Sequence, residues 1–223
     1  MEIQPIAYFH SPFKSKFGIP KQSGLVEELE GRIVFEPAYR HVDAFRGIED
    51  FDFLWIIWEF SANPHQANSL LVRPPVLGGN EKMGVFATRS PFRPNRIGLS
   101  SVRLDHVEWE SKQGPILCVR GADLMDGTPI YDVKPYIVYA DSHPEARSGF
   151  VDKRNWERLQ VEIPKDVAVR FTEDELIALR HTLELDPRPH YQDNPQRIYG
   201  MPFGEYDVKF RVVGRVLIVD KIV

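Results

Sequence analysis

The pattern of hydrophobic and polar positions along the chain consists of short β-branched and aromatic runs, each bounded by proline, glycine or small polar residues. The 18 prolines and 15 glycines interrupt these runs too often for long helices, so the pattern predicts many short strands. Residues 54–58 (LWIIW) are apolar at every position, which predicts a strand that is covered on both faces. The first two thirds of the chain are therefore predicted to be mainly β, with strands at residues 3–10, 31–35, 53–60, 84–88, 100–109, 116–123 and 130–136.

The pattern changes near residue 142, where a polar, turn-rich stretch (residues 142–155) predicts a domain boundary. Beyond it, Thr172 precedes Glu175 by three positions, which is the spacing of a capping box at the start of a helix. The helix is predicted to bury a stripe of leucines and to end before two prolines. These residues are Leu176, Leu179 and Leu183, followed by Pro187 and Pro189.

The last strands are predicted from two alternating runs in residues 207–219, which Gly214 and Arg215 join. A two-residue turn with glycine first favours a type II′ hairpin. The chain is therefore predicted to hold a β-rich domain at residues 1–145 and a small α+β domain at residues 146–223.

Composition and charge narrow the class of protein. The chain has 223 residues, 43% of them hydrophobic, with a formal net charge of −4, so any RNA-binding surface must be a local patch. The single cysteine, Cys118, lies in an apolar run, which predicts a buried, inert thiol and a reducing compartment. The chain contains neither an apolar run of about 18 residues nor an export signal, and these features together predict a cytoplasmic protein.

The common catalytic and nucleotide-binding motifs do not occur in this sequence. There is no G-x-G-x-x-G, P-loop, paired CxxC, H-E-x-x-H or G-x-S-x-G. The seven histidines lack the spacing of metal ligands, so no metal is predicted; they are His10, His41, His65, His106, His143, His181 and His190.

Four stretches rich in proline, glycine and polar residues remain to be explained: residues 17–24, 71–80, 87–98 and 121–136. In the third, prolines restrict the backbone that presents Arg89, Arg93 and Arg96, so less conformational entropy is lost when an anion binds. In the fourth, an Asp-Gly-Thr-Pro turn offers backbone and hydroxyl groups to a ligand. Composition alone leaves two interpretations open: a binding site, or salt-bridged turns at the rim of a barrel.

The same stretches carry a resemblance to a known family. HSPFKSKFGIPKQSGLVEELEGRI, AFRGIEDFDFLWIIWEF, VRPPVLGGNEKMGVFATRSPFRPNRIGLSSV and GADLMDGTPIYDVKPYIVYADS, followed by DPRPHY and RIYG, resemble the TrmO family in that order. The resemblance implies a non-Rossmann β-barrel that binds S-adenosylmethionine near a homodimer interface. It also implies methylation of N6 in N6-threonylcarbamoyladenosine at position 37, in the anticodon loop of threonine tRNA, without a required metal.

The resemblance also assigns residues position by position. Two features depart from the family pattern: Ser61 and Ala62 replace a His-Gln pair, although His65 and Gln66 follow, and Arg96 replaces a proline. The cofactor contacts implied are Gln22, Ser23, Gly24, Arg89, Leu99, Asp123, Leu124, Met125, Asp126, Gly127 and Thr128.

Chemical roles follow from the reaction that the resemblance implies. The acceptor nitrogen must lose a proton, and Asp126 or Asp123 is the candidate general base. Arg89 and Arg93 are candidates for holding the threonyl carboxylate or a phosphate of the anticodon loop, and Arg93 and Arg96 for facing the RNA. Tyr136, Arg188 and Tyr191 are candidates for stacking on or pairing with nucleotides. Two alternatives stay open: a non-catalytic dimer that binds S-adenosylmethionine or a nucleotide, and a metal-dependent hydrolase that uses Asp123, Asp126 and a histidine.

Overall fold

The computed structural model describes residues 2–63, 69–77, 81–153, 157–188 and 194–223. Six strands between residues 7 and 135 form a closed antiparallel barrel. The strands of this region are β1 (Ala7–His10), β2 (Glu30–Phe35), β3 (Phe53–Glu59), β4 (Leu71–Val72), β5 (Met83–Gly84), β6 (Ile97–Glu108), β7 (Ile116–Arg120) and β8 (Thr128–Pro135). Six of them follow one another around the barrel in the order β1-β2-β7-β6-β3-β8, and β1 closes it by pairing with both β2 and β8. The short strands β4 and β5 pair with each other outside it.

The central apolar strand, β3, is buried on one face only. Leu54, Ile56 and Trp58 fill the barrel interior, while Trp55 and Ile57 are partly exposed on the outer face. The prediction that both faces are covered is therefore wrong. The reason is that successive side chains of a strand point to opposite sides, and Trp55 on the outer face of β3 borders an open cleft.

The predicted strand at residues 84–88 is also wrong. Only Met83 and Gly84 pair as a strand, and a single 3₁₀ turn (Val85–Ala87) follows directly. Val85 is buried, and the Thr88 hydroxyl donates a hydrogen bond to the Val85 carbonyl at 2.9 Å. This local hydrogen bond ends the strand pairing and starts the arginine-rich loop.

The C-terminal region forms a four-stranded sheet with one helix of three turns against it. Its elements are α1 (Val138–Asp141), β9 (Gln160–Glu162), α2 (Lys165–Ala168), α3 (Glu173–Glu184), β10 (Tyr199–Phe203), β11 (Tyr206–Val213) and β12 (Val216–Ile222), and the sheet order is β10-β11-β12-β9. The predicted fold class, a β-barrel with a small α+β domain, is confirmed. None of the described helices is long and apolar enough to cross a lipid bilayer.

Two local predictions in this region are confirmed. The Thr172 hydroxyl accepts a hydrogen bond from the Glu175 amide, and the Glu175 carboxylate accepts one from the Thr172 amide, which forms the capping box of α3. Gly214, with φ of +59°, is the only residue of the β11–β12 turn with positive φ, as a type II′ hairpin requires.

A second hydrophobic core joins the two regions of the chain. It contains residues of α3 and the C-terminal sheet together with Phe13, Val26 and Leu29, which precede β2. Gly18 lies in the same loop at φ +93°, and a Cβ there would be 2.2 Å from the sulfur of Met201. The N-terminal loop (residues 11–29) is thus packed against the C-terminal sheet, although its sequence belongs to the predicted first domain.

The close contact between Gly31 and Phe9 inside the barrel gives a test of this packing. A Cβ on Gly31 would be 2.2 Å from Cζ of the buried Phe9 ring. We expect Gly31→Ala to lower the free energy of unfolding by about 1–3 kcal/mol in urea denaturation, because overpacking forces the ring to move. Gly84→Ala is the matched control: a Cβ there meets nothing within 4 Å, and a change of at most about 0.5 kcal/mol is expected. Equal losses in the two variants would contradict the barrel packing.

Candidate active site

A cleft of about 450 Å³ opens beside the outer face of β3 and the first residues of β6. Its volume lies within the range of small-molecule binding sites. The walls come from the N-terminal loop (residues 11–29), residues 59–63 and the arginine-rich loop (residues 88–97). Asp123, Met125 and Thr128 complete the lining. Three of the four unexplained stretches of the sequence, residues 17–24, 87–98 and 121–136, thus contribute to one cleft.

A buried chain of hydrogen bonds fixes one carboxylate in the cleft wall. Trp58 Nε1 donates to Ser100 Oγ at 3.0 Å, and Ser100 Oγ donates to Asp123 Oδ1 at 2.6 Å. Ser100 is only 2% exposed, so its hydroxyl has no competing water. The serine holds the Asp123 carboxylate in a single orientation toward the cleft.

The ionisation of Asp123 is shifted by this environment. Burial raises the pKa of Asp123 above 3.8, while hydrogen bonds from Ser100 and from the backbone amide of Ser23, and the nearby charge of Arg89, oppose that rise. Because burial prevails, this carboxyl group holds its proton more tightly than an exposed aspartate does.

The N-terminal loop reaches the same wall through its backbone. The Gly24 amide donates a hydrogen bond to the Gly121 carbonyl at 2.8 Å, next to the contact between the Ser23 amide and Asp123. Gln22 Oε1 accepts a hydrogen bond from the Arg89 guanidinium. The structure therefore brings together Gln22 to Gly24, Arg89 and Asp123, which the resemblance assigned to one site.

The three arginines of the loop make different contacts. Arg89 and Arg93 line the cleft, and Arg93 Nη1 donates to the Thr88 carbonyl at 2.9 Å. Arg96 instead forms a 2.8 Å ion pair with Glu59 and donates to the Asn63 carbonyl at 3.0 Å. Its guanidinium therefore ties the arginine-rich loop to the end of β3, and its contact with RNA stays a prediction.

Charge in the cleft is opposite in sign to the charge of the whole chain. Among the described residues, four cationic side chains and two anionic ones line it. The cations are Lys16, Lys21, Arg89 and Arg93, and the anions are Glu59 and Asp123. A chain with a net charge of −4 thus carries a local positive patch around this cleft.

Comparison with known proteins assigns the chain to a family. The family model for the tRNA-methyltransferase O N-terminal domain matches residues 8–142, and the model for the TrmO C-terminal domain matches residues 157–223. The chain belongs to the TrmO family.

Individual relatives are similar over most of the chain. The tRNA (adenine(37)-N6)-methyltransferase of Escherichia coli K12 is 36% identical over 95% of this chain and 93% of that protein. The mouse protein of the same name is 33% identical over 93% of this chain and 46% of its own length. A crystal structure of TrmO from Pseudomonas aeruginosa superposes with a TM-score of 0.80 at 31% identity, and covers 100% of this chain and 96% of its own.

The TrmO turn at residues 123–128 does not present all of its side chains to the cleft. Asp123, Met125 and Thr128 line it, as does Leu99 of β6. Leu124 is 1% exposed in the barrel core, and Gly127 adopts φ of +75° at the turn without forming part of the wall.

Asp126 points away from the cleft, to a cluster at the end of β1. Its carboxylate accepts hydrogen bonds from Lys14 Nζ at 2.8 Å and the Ser11 amide at 3.2 Å, and lies 3.2 Å from His10 Nδ1. Burial alone would raise the pKa of Asp126, but these partners together lower it below 3.8. The side chain predicted as a general base is therefore held as a paired carboxylate outside the cleft.

Of the residues predicted to stack on or pair with nucleotides, Tyr136 and Arg188 do not line the cleft. Tyr136 packs against Trp55 and Phe53, with ring centroids 5.5 and 6.2 Å away. Arg188 forms a two-point ion pair with Asp186, both bonds at 2.9 Å. Tyr191, His65 and Gln66 lie outside the described residues. Ser61 and Ala62, which occupy the positions of the family His-Gln pair, do line the cleft.

Sequence reasoning missed several residues that build the site: Trp58, Ser100, Glu59, Asn63 and Lys16. Gly98 explains why Trp58 fits, because a Cβ on Gly98 would be 2.3 Å from the indole ring. The feature that could have identified them is the pairing of a glycine in β6 with a tryptophan in β3. This pairing can be recognised only once the register of the two strands is known.

The opposite pKa shifts of Asp123 and Asp126 predict opposite effects on stability. Because the folded-state pKa of Asp123 is raised, ionisation of this group favours unfolding. The resulting loss in the free energy of unfolding is absent below pH 3.8 and grows as the pH rises toward the folded-state pKa. We therefore expect Asp123→Asn to increase the free energy of unfolding at neutral pH, and this gain to disappear as the pH approaches 3.8.

Asp126→Asn is the matched control, with the opposite sign. A lowered folded-state pKa gives stability that is present above pH 3.8 and is lost as the pH falls through the folded-state value. This variant should be less stable than the wild type at neutral pH. Urea denaturation at several pH values measures both effects, and destabilisation of the same size in both variants at neutral pH would contradict the different environments of the two carboxylates.

Proposed function

We propose that this chain is an S-adenosylmethionine-dependent methyltransferase that methylates N6 of adenine 37 in tRNA, with N6-threonylcarbamoyladenosine of threonine tRNA as its substrate. The observation that carries the proposal is the positively charged cleft with the partly buried Asp123, built from the segments that resemble the TrmO family. Relatives are named tRNA (adenine(37)-N6)-methyltransferase, and two others have S-adenosylmethionine in their names. A cytoplasmic location stays a prediction.

The chemistry of the cleft fits S-adenosylmethionine. Arg89 and Lys21 supply positive charge for its carboxylate, and the Asp123 and Glu59 carboxylates supply acceptors for its ammonium and hydroxyl groups. Leu99 and Met125 offer apolar surface for its adenine ring. When bound, the cofactor supplies a methyl group that a positively charged sulfur has already activated.

The protein's own task is to align the acceptor nitrogen and to accept its proton. Asp123 is the better proton acceptor of the two aspartates, because its carboxylate lines the cleft and burial raises its pKa. Ser100 keeps that carboxylate in place by donating to Oδ1, so the acceptor N–H meets a carboxylate whose position is already fixed. Asp126, paired with Lys14 and Ser11, is proposed to hold the turn at residues 123–128 against β1.

The RNA is proposed to approach the cationic side of the cleft. Arg93 lies in the wall with only one of its guanidinium nitrogens engaged, by the Thr88 carbonyl, in the contacts that the structure describes. A guanidinium suits the carboxylate of the threonylcarbamoyl group or a backbone phosphate, because it makes two parallel hydrogen bonds. Lys16 adds a second positive charge near residues 62–63.

A second copy of the chain is proposed to cover the apolar residues around the cleft. Phe86, Phe92, Ile97 and Leu99 are between 40% and 76% exposed. Phe86 lies in the 3₁₀ turn before the arginine-rich loop, Phe92 in that loop, and Ile97 and Leu99 at the start of β6. An exposed apolar patch of this kind on a globular protein marks an interaction surface. A homodimer would also place cations from both copies near one RNA.

Neither alternative function is favoured. The names of the relatives specify methyl transfer, which a non-catalytic binding dimer does not perform. A metal-dependent hydrolase would need Asp123, Asp126 and a histidine around one ion. Among the described residues the three do not form one group: Asp126 lies 3.2 Å from His10, whereas Asp123 bonds Ser100 in the cleft wall.

Transfer of labelled methyl groups to tRNA tests the function directly. We expect S-adenosylmethionine to label threonine tRNA that carries the threonylcarbamoyl group, with N6-methylated N6-threonylcarbamoyladenosine found by nucleoside mass spectrometry. The same tRNA without that group should gain no label above background. Absence of label on both tRNAs would refute the proposal, and equal labelling would refute the substrate assignment.

Arg93→Ala separates binding of the RNA from binding of the cofactor. Loss of a hydrogen bond to a charged group costs about 1.5–3 kcal/mol, so we expect methyl transfer to fall about ten- to a hundredfold. The affinity for S-adenosylmethionine, measured by calorimetry, should change little. Arg96→Ala is the control for loop integrity, because Arg96 pairs with Glu59. An equal loss of activity and cofactor affinity in Arg93→Ala would reject its assignment to the RNA.

The oligomeric state tests the proposed dimer surface. We expect the wild-type chain to be a dimer in light scattering and Phe86→Asp to shift it toward the monomer, because a buried charge would oppose association. Phe86 is 76% exposed in the single chain, so its replacement should leave the fold intact. Val169→Asp, at a residue 77% exposed in the C-terminal domain, is the control. A wild-type monomer would reject the dimer.

A further inference from the structure

A cluster of a histidine, a glutamate and a cysteine lies on the outer surface of the barrel, on β6 and β7. His106 and Cys118 are direct cross-strand partners, and Glu108 lies two residues beyond His106 on the same strand. One ligand atom from each of His106, Glu108 and Cys118 lies within 4.8 Å of the others. Among the described residues, this is the one group of at least three His, Cys, Asp and Glu side chains at such distances.

A β-bulge brings the histidine to this surface. The pairing of β6 with β7 shifts between Leu104 and His106, so Asp105 is the extra residue. Up to Leu104 the even-numbered residues face the interior, whereas beyond the bulge Val107 does. Without the bulge the strand would alternate regularly and His106 would point inward. The irregularity therefore places His106, Glu108 and Cys118 on one face.

Neighbouring side chains hold the histidine and the glutamate in position. His106 Nδ1 lies 2.8 Å from Asp105 Oδ2, and Asp105 Oδ1 in turn accepts a hydrogen bond from Arg120 at 2.9 Å. The hydrogen bond between the Asp105 carboxylate and Nδ1 fixes the orientation of the imidazole ring. Nε2 is the ring nitrogen that takes no part in this hydrogen bond. Arg32 pairs with Glu108 Oε2, and Oε1 lies 3.4 Å from the sulfur of Cys118.

We propose that His106, Glu108 and Cys118 form a binding site for a zinc ion. A thiolate, an imidazole and a carboxylate together select Zn²⁺ over Mg²⁺ and Ca²⁺, which take oxygen ligands only. As the bond between zinc and sulfur forms, the Cys118 thiol proton passes to solvent. A water molecule completes the four ligands on the side of His106, whose side chain is 57% exposed.

The geometry needs only a small adjustment to hold the ion. With metal bonds of about 2.0–2.3 Å, the ligand atoms of a tetrahedral site lie about 3.3–3.8 Å apart. The ligand atoms here lie within 4.8 Å of one another, so the longest of these distances must shorten by about 1 Å. The Sγ–Oε1 distance of 3.4 Å already meets this requirement. His106 and Glu108 are long, partly exposed side chains that can make the remaining movement.

The site is separate from the proposed methyl-transfer cleft. His106 lies seven residues along β6 from Leu99, roughly 23 Å at about 3.3 Å per residue. The ion would link β6 to β7 at the far end of the barrel and so stabilise the folded chain. This inference does not depend on the proposed function.

Metal titration of the untagged, full-length chain tests the site. We expect the chelator-treated protein to bind one Zn²⁺ per chain in calorimetry, and Co²⁺ to produce the near-ultraviolet absorption band of a cobalt–thiolate bond. Cys118→Ser should lose that band, and His106→Gln should weaken Zn²⁺ binding about tenfold or more. Zinc should also raise the Tm of the wild type but not that of Cys118→Ser.

A surface histidine elsewhere provides the matched control. His41 lies 3.4 Å from the Asp43 carboxylate but has no cysteine beside it, so His41→Gln should bind Zn²⁺ as the wild type does. In chelator, the variants should unfold at the same temperature as the wild type, which shows that the fold is intact. If the wild type binds no Zn²⁺, or if the cobalt band is absent or survives in Cys118→Ser, the site is rejected. Methyl transfer in chelator is measured separately and should not change.

Discussion

The pairing of β1 with both β2 and β8 is the constraint on which the rest of the structure depends. It closes the barrel, and it places Phe9 opposite Thr128, at the end of the turn that carries Asp123. The backbone amides of that turn then donate to β1 and the N-terminal loop: Gly127 to the Phe9 carbonyl and Asp126 to the Phe13 carbonyl. The turn is therefore fixed by backbone bonds, and three of its side chains, Asp123, Met125 and Thr128, line the cleft.

The two aspartates of this turn differ in function because their side chains lie in different surroundings. Asp126 receives hydrogen bonds and positive charge from Lys14, Ser11 and His10, so its ionised form contributes to folding. Asp123 is partly buried, Ser100 is its side-chain donor in the contacts that the structure describes, and its ionised form opposes folding. A carboxyl group that costs stability persists where a ligand or a reaction requires it, which is why Asp123 rather than Asp126 fits the chemistry.

Local features were predictable from the sequence, and contacts across strands were not. The Thr172 capping box and the Gly214 turn depend on neighbours within a few residues, and both predictions are confirmed. Ser100 and Trp58 meet only through the register of β3 against β6, which no local pattern encodes. The apolar run at residues 54–58 was misjudged because a cleft and an exposed apolar surface, not a second layer of structure, adjoin its outer face.

The N-terminal loop gives the C-terminal domain a direct part in shaping the cleft. Phe13, Val26 and Leu29 are buried in the second core, and Gly18 touches Met201 of β10. Between these anchors the loop presents Gln22 to Arg89 and the Ser23 amide to Asp123. A loop held only by the barrel would lose the apolar contacts on its other side and would have to be ordered when a ligand binds, at an entropic cost. Preorganisation of the N-terminal loop thus depends on both domains together.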